Sequence, residues 1–167
     1  MQIGHYLLIT FIIAAFITDI RKQIIPNKLT AIASLAGLLW NLINKGLEGL
    51  LFSLAGLISG FVALLLLFLF KAIGAGDVKL FAAVGAIAGT EFVIHSVIYS
   101  VIYAGLIGMV ILLARKEFVK RMARIIVYIF HSIVLLDLKF LVLKKKECLT
   151  FPFMYAVVPG VLTVYIY

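Results

Sequence analysis

Two aspartates stand where their side chains could do acid–base chemistry. Asp19 follows an apolar run and begins the stretch DIRKQIIPNKL, and Asp77 lies in GAGDVK, 58 positions later. An ionisable side chain at membrane depth is expensive, so each is a functional candidate on position alone. Two carboxylates brought together cannot both ionise cheaply, and such a pair shares a proton. One member then acts as a base that activates water, and the other as an acid that protonates an oxyanion or a leaving nitrogen. Peptide hydrolysis by this route calls for no cofactor, metal, nucleotide or thiol. The plainer alternative is that Asp19 pairs with Arg21 and Asp77 with Lys79 at the membrane surface.

The residues around each aspartate bear on that choice. Pro26 disfavours helical angles at Ile25, which predicts that the first helix stops shortly after Asp19 and that the following loop stays near the membrane. Gly74 and Gly76 remove side-chain bulk beside Asp77 and permit unusual backbone angles, so that a substrate strand could approach the carboxylate. A lone pair of glycines is equally compatible with an ordinary helix break.

The elements that position the aspartates follow from composition. Of 167 residues, 65% are apolar and 13% charged, and the mean hydropathy is +1.25. A soluble domain is nearer half apolar and a quarter charged, so lipid is the solvent for most of this chain. Apolar segments fall at roughly 3–18, 29–43, 50–70, 78–90, 92–114 and 149–167. None alternates with the period of a barrel strand, and lipid leaves backbone groups no partner but their own helix. The expected fold is therefore all-α, a polytopic bundle of six transmembrane helices forming a single domain over residues 1–167. The first run has no basic residue ahead of it and no small-residue cleavage site after it, which predicts a retained helix rather than a cleaved signal. Segment 78–90 is short and rich in Ala and Gly. Small residues allow close helix approach, which suits a central helix that need not cross a full bilayer; a re-entrant hairpin is the other option.

The net charge of +8 is distributed unevenly. With both termini outside, the inner surface receives Arg21, Lys22, Lys28, Lys71, Lys79, Arg115, Lys116, Lys120, Arg121, Arg124, Lys139, Lys144, Lys145 and Lys146, and the outer surface only Lys45. Fourteen against one is the positive-inside pattern of an inner-membrane protein, and it accounts for the basic balance without nucleic acid. Asp19 and Asp77 then share the cytoplasmic side. Residues 115–147 are basic at both ends with an apolar middle too short to span, so they are expected as interfacial helix on the cytoplasmic leaflet, held by membrane lipid. A seventh, mismatched span is the alternative. Cys148 is the only cysteine, and His5, His95 and His131 lack ligand spacing, so no metal site is expected.

Taken together, Asp19 followed by Ile25-Pro26-Asn27, then Gly74-x-Gly76-Asp77 with Lys79 two residues on, resembles the type IV prepilin peptidases. These belong, with the preflagellin peptidases, to the GxGD membrane aspartyl proteases. Pro152-Phe153 ahead of the last apolar segment is also similar to the family pattern. The resemblance implies cleavage of a short basic leader from prepilin-like precursors that carry an apolar helix, at the cytoplasmic membrane boundary. It implies Asp19 and Asp77 as the catalytic pair and Gly74 and Gly76 as the turn beside it. Arg21, Pro26, Asn27 and Lys79 match motif positions concerned with charge placement and loop shape. Many bacterial members carry a Cys-rich methylating domain; the chain resembles the short, protease-only branch, and methyl transfer is not expected of it.

Two readings from other classes compete. In a small ion-coupled transporter the aspartates would bind protons or cations, but transport sites gather near the midplane rather than toward one face. In a non-catalytic pilus-assembly subunit the small-residue grooves would hold pilin helices. Loss of cleavage on aspartate substitution separates the protease from both.

Overall fold

The computed structural model describes residues 2–22, 24–69, 73–114 and 153–166. The expected interfacial segment 115–147 lies outside them, as do Lys71, Cys148 and Pro152. All regular structure among the described residues is helical: α1 (Gln2–Lys22), α2 (Asn27–Leu69), α3 (Ala75–Ala88), α4 (Thr90–Ala114) and α5 (Met154–Ile166). Three stretches are long and apolar enough to cross a membrane, Gly4–Arg21, Asn27–Leu69 and Thr90–Ile111. The chain divides into two compact units, one of Met1–Ala104 with Pro152–Tyr167 and one of Gly105–Phe151. Of the second, only the last part of α4 is described, and the architecture below is that of the first.

α1 is a helix of 21 residues, about 30 Å long and so matched to the hydrocarbon thickness of a bilayer. Its buried stripe runs Leu8, Phe11, Ile12, Ala15 and Asp19, while Ile9, Ile13, Ile17 and Ile20 point outward. A water-soluble helix would reverse that arrangement; here large aliphatic groups face the surroundings, as lipid requires. The pattern is sharper in α2. Its buried residues are mostly small or polar, including Thr30, Ala33, Gly37, Asn41, Gly49, Ser53, Gly56 and Gly60, and its exposed ones include Leu35, Leu39, Leu51, Ile58 and Leu66.

α2 does not run straight. Gly46 adopts φ 60°, ψ −140°, a conformation open to glycine and strained for residues with a Cβ. The chain doubles back there: the Asn41 amide donates to Ser53 Oγ at 2.7 Å, and Ser53 Oγ donates to the Gly37 carbonyl at 3.5 Å. Along a continuous helix, residues 37 and 53 would stand about 24 Å apart. The sequence expectation of separate segments at 29–43 and 50–70 thus corresponds to two antiparallel arms joined at Gly46.

α3 fits against both arms. The Asn41 amide also reaches the Ala86 and Ile87 carbonyls, each at 3.3 Å, which ties α3 to the hairpin by a buried polar link. Gly56 and Gly85 meet backbone to backbone, and a Cβ on either would overlap the other's carbonyl oxygen. Every residue from Leu80 to Ile87 is buried, so α3 is enclosed on all sides, as its small-residue composition leads one to expect. With 14 residues it is about 21 Å long. It ends at Gly89, φ 88°, where the Phe52 ring fills the space a Cβ would need.

α5 lies antiparallel to α1. The His5 and Tyr165 rings meet edge to face at 5.3 Å near one end, and Phe16 and Tyr155 at 5.8 Å near the other. It also touches α4, with Tyr103 Oη and Thr163 Oγ1 hydrogen-bonded at 3.1 Å and Gly160 against Ser100. In consequence the end of α1 and the starts of α2, α3 and α5 come together, while Gly46 and Gly89 lie at the opposite end.

Candidate active site

Asp19 belongs to the buried stripe of α1 and is only 7% exposed. The helix continues past it to Lys22 and stops before Ile24, Ile25 and Pro26, as the proline predicts. Pro26 then starts α2, its carbonyl accepting the amides of Leu29 at 3.0 Å and Thr30 at 3.3 Å. One oxygen of Asp19, Oδ2, accepts the backbone N–H of Met154 at 3.4 Å. Met154 is the first residue of α5, and the carbonyl of Phe153 before it accepts the amides of Ala156 and Val157 at 2.9 and 3.2 Å. The Met154 amide is therefore one of those a helix start leaves without an intrahelical partner.

Asp77 is half-buried in the first turn of α3. The expected segment began at residue 78; the helix begins at Ala75 and takes the carboxylate into its opening turn, because Asp77 caps it. Its Oδ2 accepts the Gly74 N–H at 3.1 Å, and its own amide donates to the Gly74 carbonyl at 3.2 Å. A carboxylate here also meets the positive end of the helix dipole. The loop that follows Asp19 reaches the start of α3, where Ile25 meets Gly76, so the two aspartates come to the same end of the bundle on separate helices.

The glycines differ from expectation in one respect. Gly74 has φ −82°, ψ 155°, extended backbone that any residue adopts, and among the described glycines only Gly46 and Gly89 have positive φ. What Gly74 and Gly76 contribute is room. A Cβ on Gly74 would sit 3.4 Å from Asp77 Oδ2, and one on Gly76 would touch Ile25 at 3.4 Å. Ile25 is itself buried, so the loop after α1 lies directly on the start of α3.

A second link joins the same two segments: Lys79 Nζ donates to Asn27 Oδ1 at 2.9 Å. Lys79 thus turns to Asn27 rather than to Asp77, and the plain pairing of each aspartate with its nearest basic neighbour is not the arrangement adopted among the described residues. Pro26 is partly buried in the loop, and Arg21 is exposed in the last turn of α1. Of the sequence candidates, Asp19, Pro26, Asn27, Gly74, Gly76, Asp77 and Lys79 gather at one end of the bundle, and Arg21 flanks them. The Met154 amide is the contact that sequence reasoning missed; the available signal was Pro152-Phe153, a helix-start pattern ahead of an apolar run. Among the described residues no three His, Cys, Asp or Glu side chains converge as metal ligands do.

The fold and site define a helical membrane protein with two carboxylates at the same end of its bundle, one at a helix end and one at a helix start. A family model described as the type IV leader peptidase family matches residues 6–113, and the chain belongs to that family. It is a prepilin peptidase-like protease. The match takes in both aspartates and the loop between α1 and α2, and ends within α4. No curated protein and no solved structure matches the chain.

Proposed function

We propose that the protein is an aspartic endopeptidase that removes the basic leader from prepilin-like precursors at the cytoplasmic boundary of the inner membrane, with Asp19 and Asp77 as its catalytic pair. The observation that carries this reading is the convergence of Asp19 and Asp77, from α1 and α3, at one end of the bundle, where Ile25 lies on Gly76 and each carboxylate accepts a backbone N–H at a helix start. The charge distribution supports the side: Arg21, Lys28 and Lys79 belong to this end, and Lys45 to the Gly46 end. A six-span arrangement with both termini outside accords with it, and makes the bundle one transmembrane peptidase domain seated in lipid by residues 115–147.

In the proposed reaction one carboxylate removes a proton from water as the oxygen attacks the scissile carbonyl carbon, and the protonated partner donates to the developing oxyanion. Collapse of the tetrahedral intermediate breaks the C–N bond, the nitrogen leaving with a proton from the pair. One water is consumed and the dyad returns to its singly protonated state. Gly74 is exposed, and its missing side chain leaves space for an extended substrate beside Asp77. Lys79, Asn27 and Pro26 hold the loop, and Arg21 contributes charge at the membrane surface.

The test is substitution of each aspartate by its amide. Asp19→Asn and Asp77→Asn each abolish leader removal from a coexpressed prepilin-like precursor, followed by mobility shift at equal membrane levels. Glu48→Gln and Glu91→Gln, exposed carboxylates toward the other end, leave it intact. Substantial cleavage by either asparagine variant removes the dyad mechanism.

A further inference from the structure

The backbone amide of Met154 lies 135 positions from Asp19 in sequence and meets it at 3.4 Å. Both partners are enclosed, Met154 fully and Asp19 nearly so. The amide is an orphan donor of a 13-residue helix, and a buried donor of this kind is satisfied by a side chain, by water or by a ligand. Its axial level relative to α1 is set independently, by the ring pairs His5–Tyr165 and Phe16–Tyr155, while the Tyr103–Thr163 hydrogen bond holds α5 to α4. Asp19 therefore does not recruit a loose segment; α5 is docked along its length with this N–H aimed at the carboxylate.

Resting on the dyad reading above, we infer that the Met154 N–H is a positioning group for catalysis: it holds Asp19 by Oδ2 and leaves Oδ1 as the oxygen that handles the proton of the attacking water. Each aspartate is then held by one backbone donor at a helix start, Asp77 by its own turn through Gly74 and Asp19 by a helix from the far end of the chain.

Few other titratable groups bear on Asp19 among the described residues. Asp77 stands in the first turn of α3 at the same end of the bundle. Arg21, on its own helix, and Lys28, on α2, are both exposed, and Lys79 is engaged with Asn27. α5 contributes only Tyr155, whose ring edges onto Phe16, and Tyr165 near the other end. Glu91 and His95 of α4 lie toward that other end as well.

Proline is at home in the first position of a helix, where its missing N–H has no intrahelical role, so Met154→Pro deletes this donor with little demand on α5. Met154→Ala keeps the donor and removes the side chain. Measured on the full-length enzyme with a synthetic precursor peptide, Met154→Pro should lower kcat about tenfold or more with KM little changed, the scale set by a hydrogen bond to a charged group and the split by a contact that acts on the reacting group. Met154→Ala, which keeps the N–H, should lose much less. Replacing Met154 by its α-hydroxy analogue in cell-free translation, which turns the amide into an ester and retains the side chain, should reproduce the loss in kcat and serves where Met154→Pro does not accumulate. A wild-type kcat in the ester variant, or an equal loss in Met154→Ala, overturns the inference. Cleavage by Asp19→Asn would instead overturn the dyad reading on which it rests.

Discussion

Lys79 donates a hydrogen bond to Asn27 across 2.9 Å and so joins two sequence motifs that lie 52 positions apart. Asn27 opens α2 directly after Pro26, and Lys79 sits two residues beyond Asp77 in α3. The link closes the loop after α1 over the start of α3, beside the contact of Ile25 with Gly76. Because it is exposed, it contributes to loop geometry more than to folding.

That role predicts strong coupling. Asn27→Ala and Lys79→Met should each lower cleavage by roughly two- to fivefold, and the double variant should lose little beyond the worse single one. Additive losses in a double-mutant cycle would mean that Lys79 acts on the substrate independently of Asn27.

Gly74 offers a second test, because its backbone angles suit any residue. Gly74→Ala should reach wild-type membrane levels, yet cleave at least about tenfold more slowly, the methyl standing 3.4 Å from Asp77 Oδ2 where a substrate would approach. Wild-type cleavage by this variant would show that the approach lies elsewhere.

The contact between α2 and α3 predicts opposite outcomes at two glycines. Gly56→Ala drives a Cβ into the Gly85 carbonyl, backbone against backbone, and should destabilise the bundle by about 1–3 kcal/mol. At Gly105 nothing lies within 4 Å of an added Cβ, and Gly105→Ala should be neutral or stabilising by up to about 1 kcal/mol through helix propensity. Thermal unfolding of the purified proteins in detergent compares the two.

Sidedness is checked by reporters. Fusions after Asn44 and after Tyr167 should report the outer side, and a fusion after Lys120 the cytoplasm. A cytoplasmic reading at Tyr167 would require an odd number of spans and a different seating for residues 115–147.

Much of this was legible before any contact was known. The aspartates stand out because charge at membrane depth is costly, and that cost belongs to the residue rather than to its neighbours. Helical class follows from hydropathy, since lipid offers the backbone no hydrogen bonds, and the stop after α1 follows from Pro26. Even the burial of α3 is anticipated by its alanines and glycines, which have little to offer lipid and much to offer a close neighbour. Local sequence does not set the rotation and axial shift of one helix against another. Those come from backbone surfaces meeting, as at Gly56 and Gly85, and from buried polar links such as Asn41 to Ser53. For that reason only the tertiary structure decided that Asn27 receives Lys79, that Gly74 supplies space and not an unusual angle, and that the N–H of Met154 reaches Asp19. Each depends on helices docked in register, and that register is a property of the packed bundle, not of any one segment.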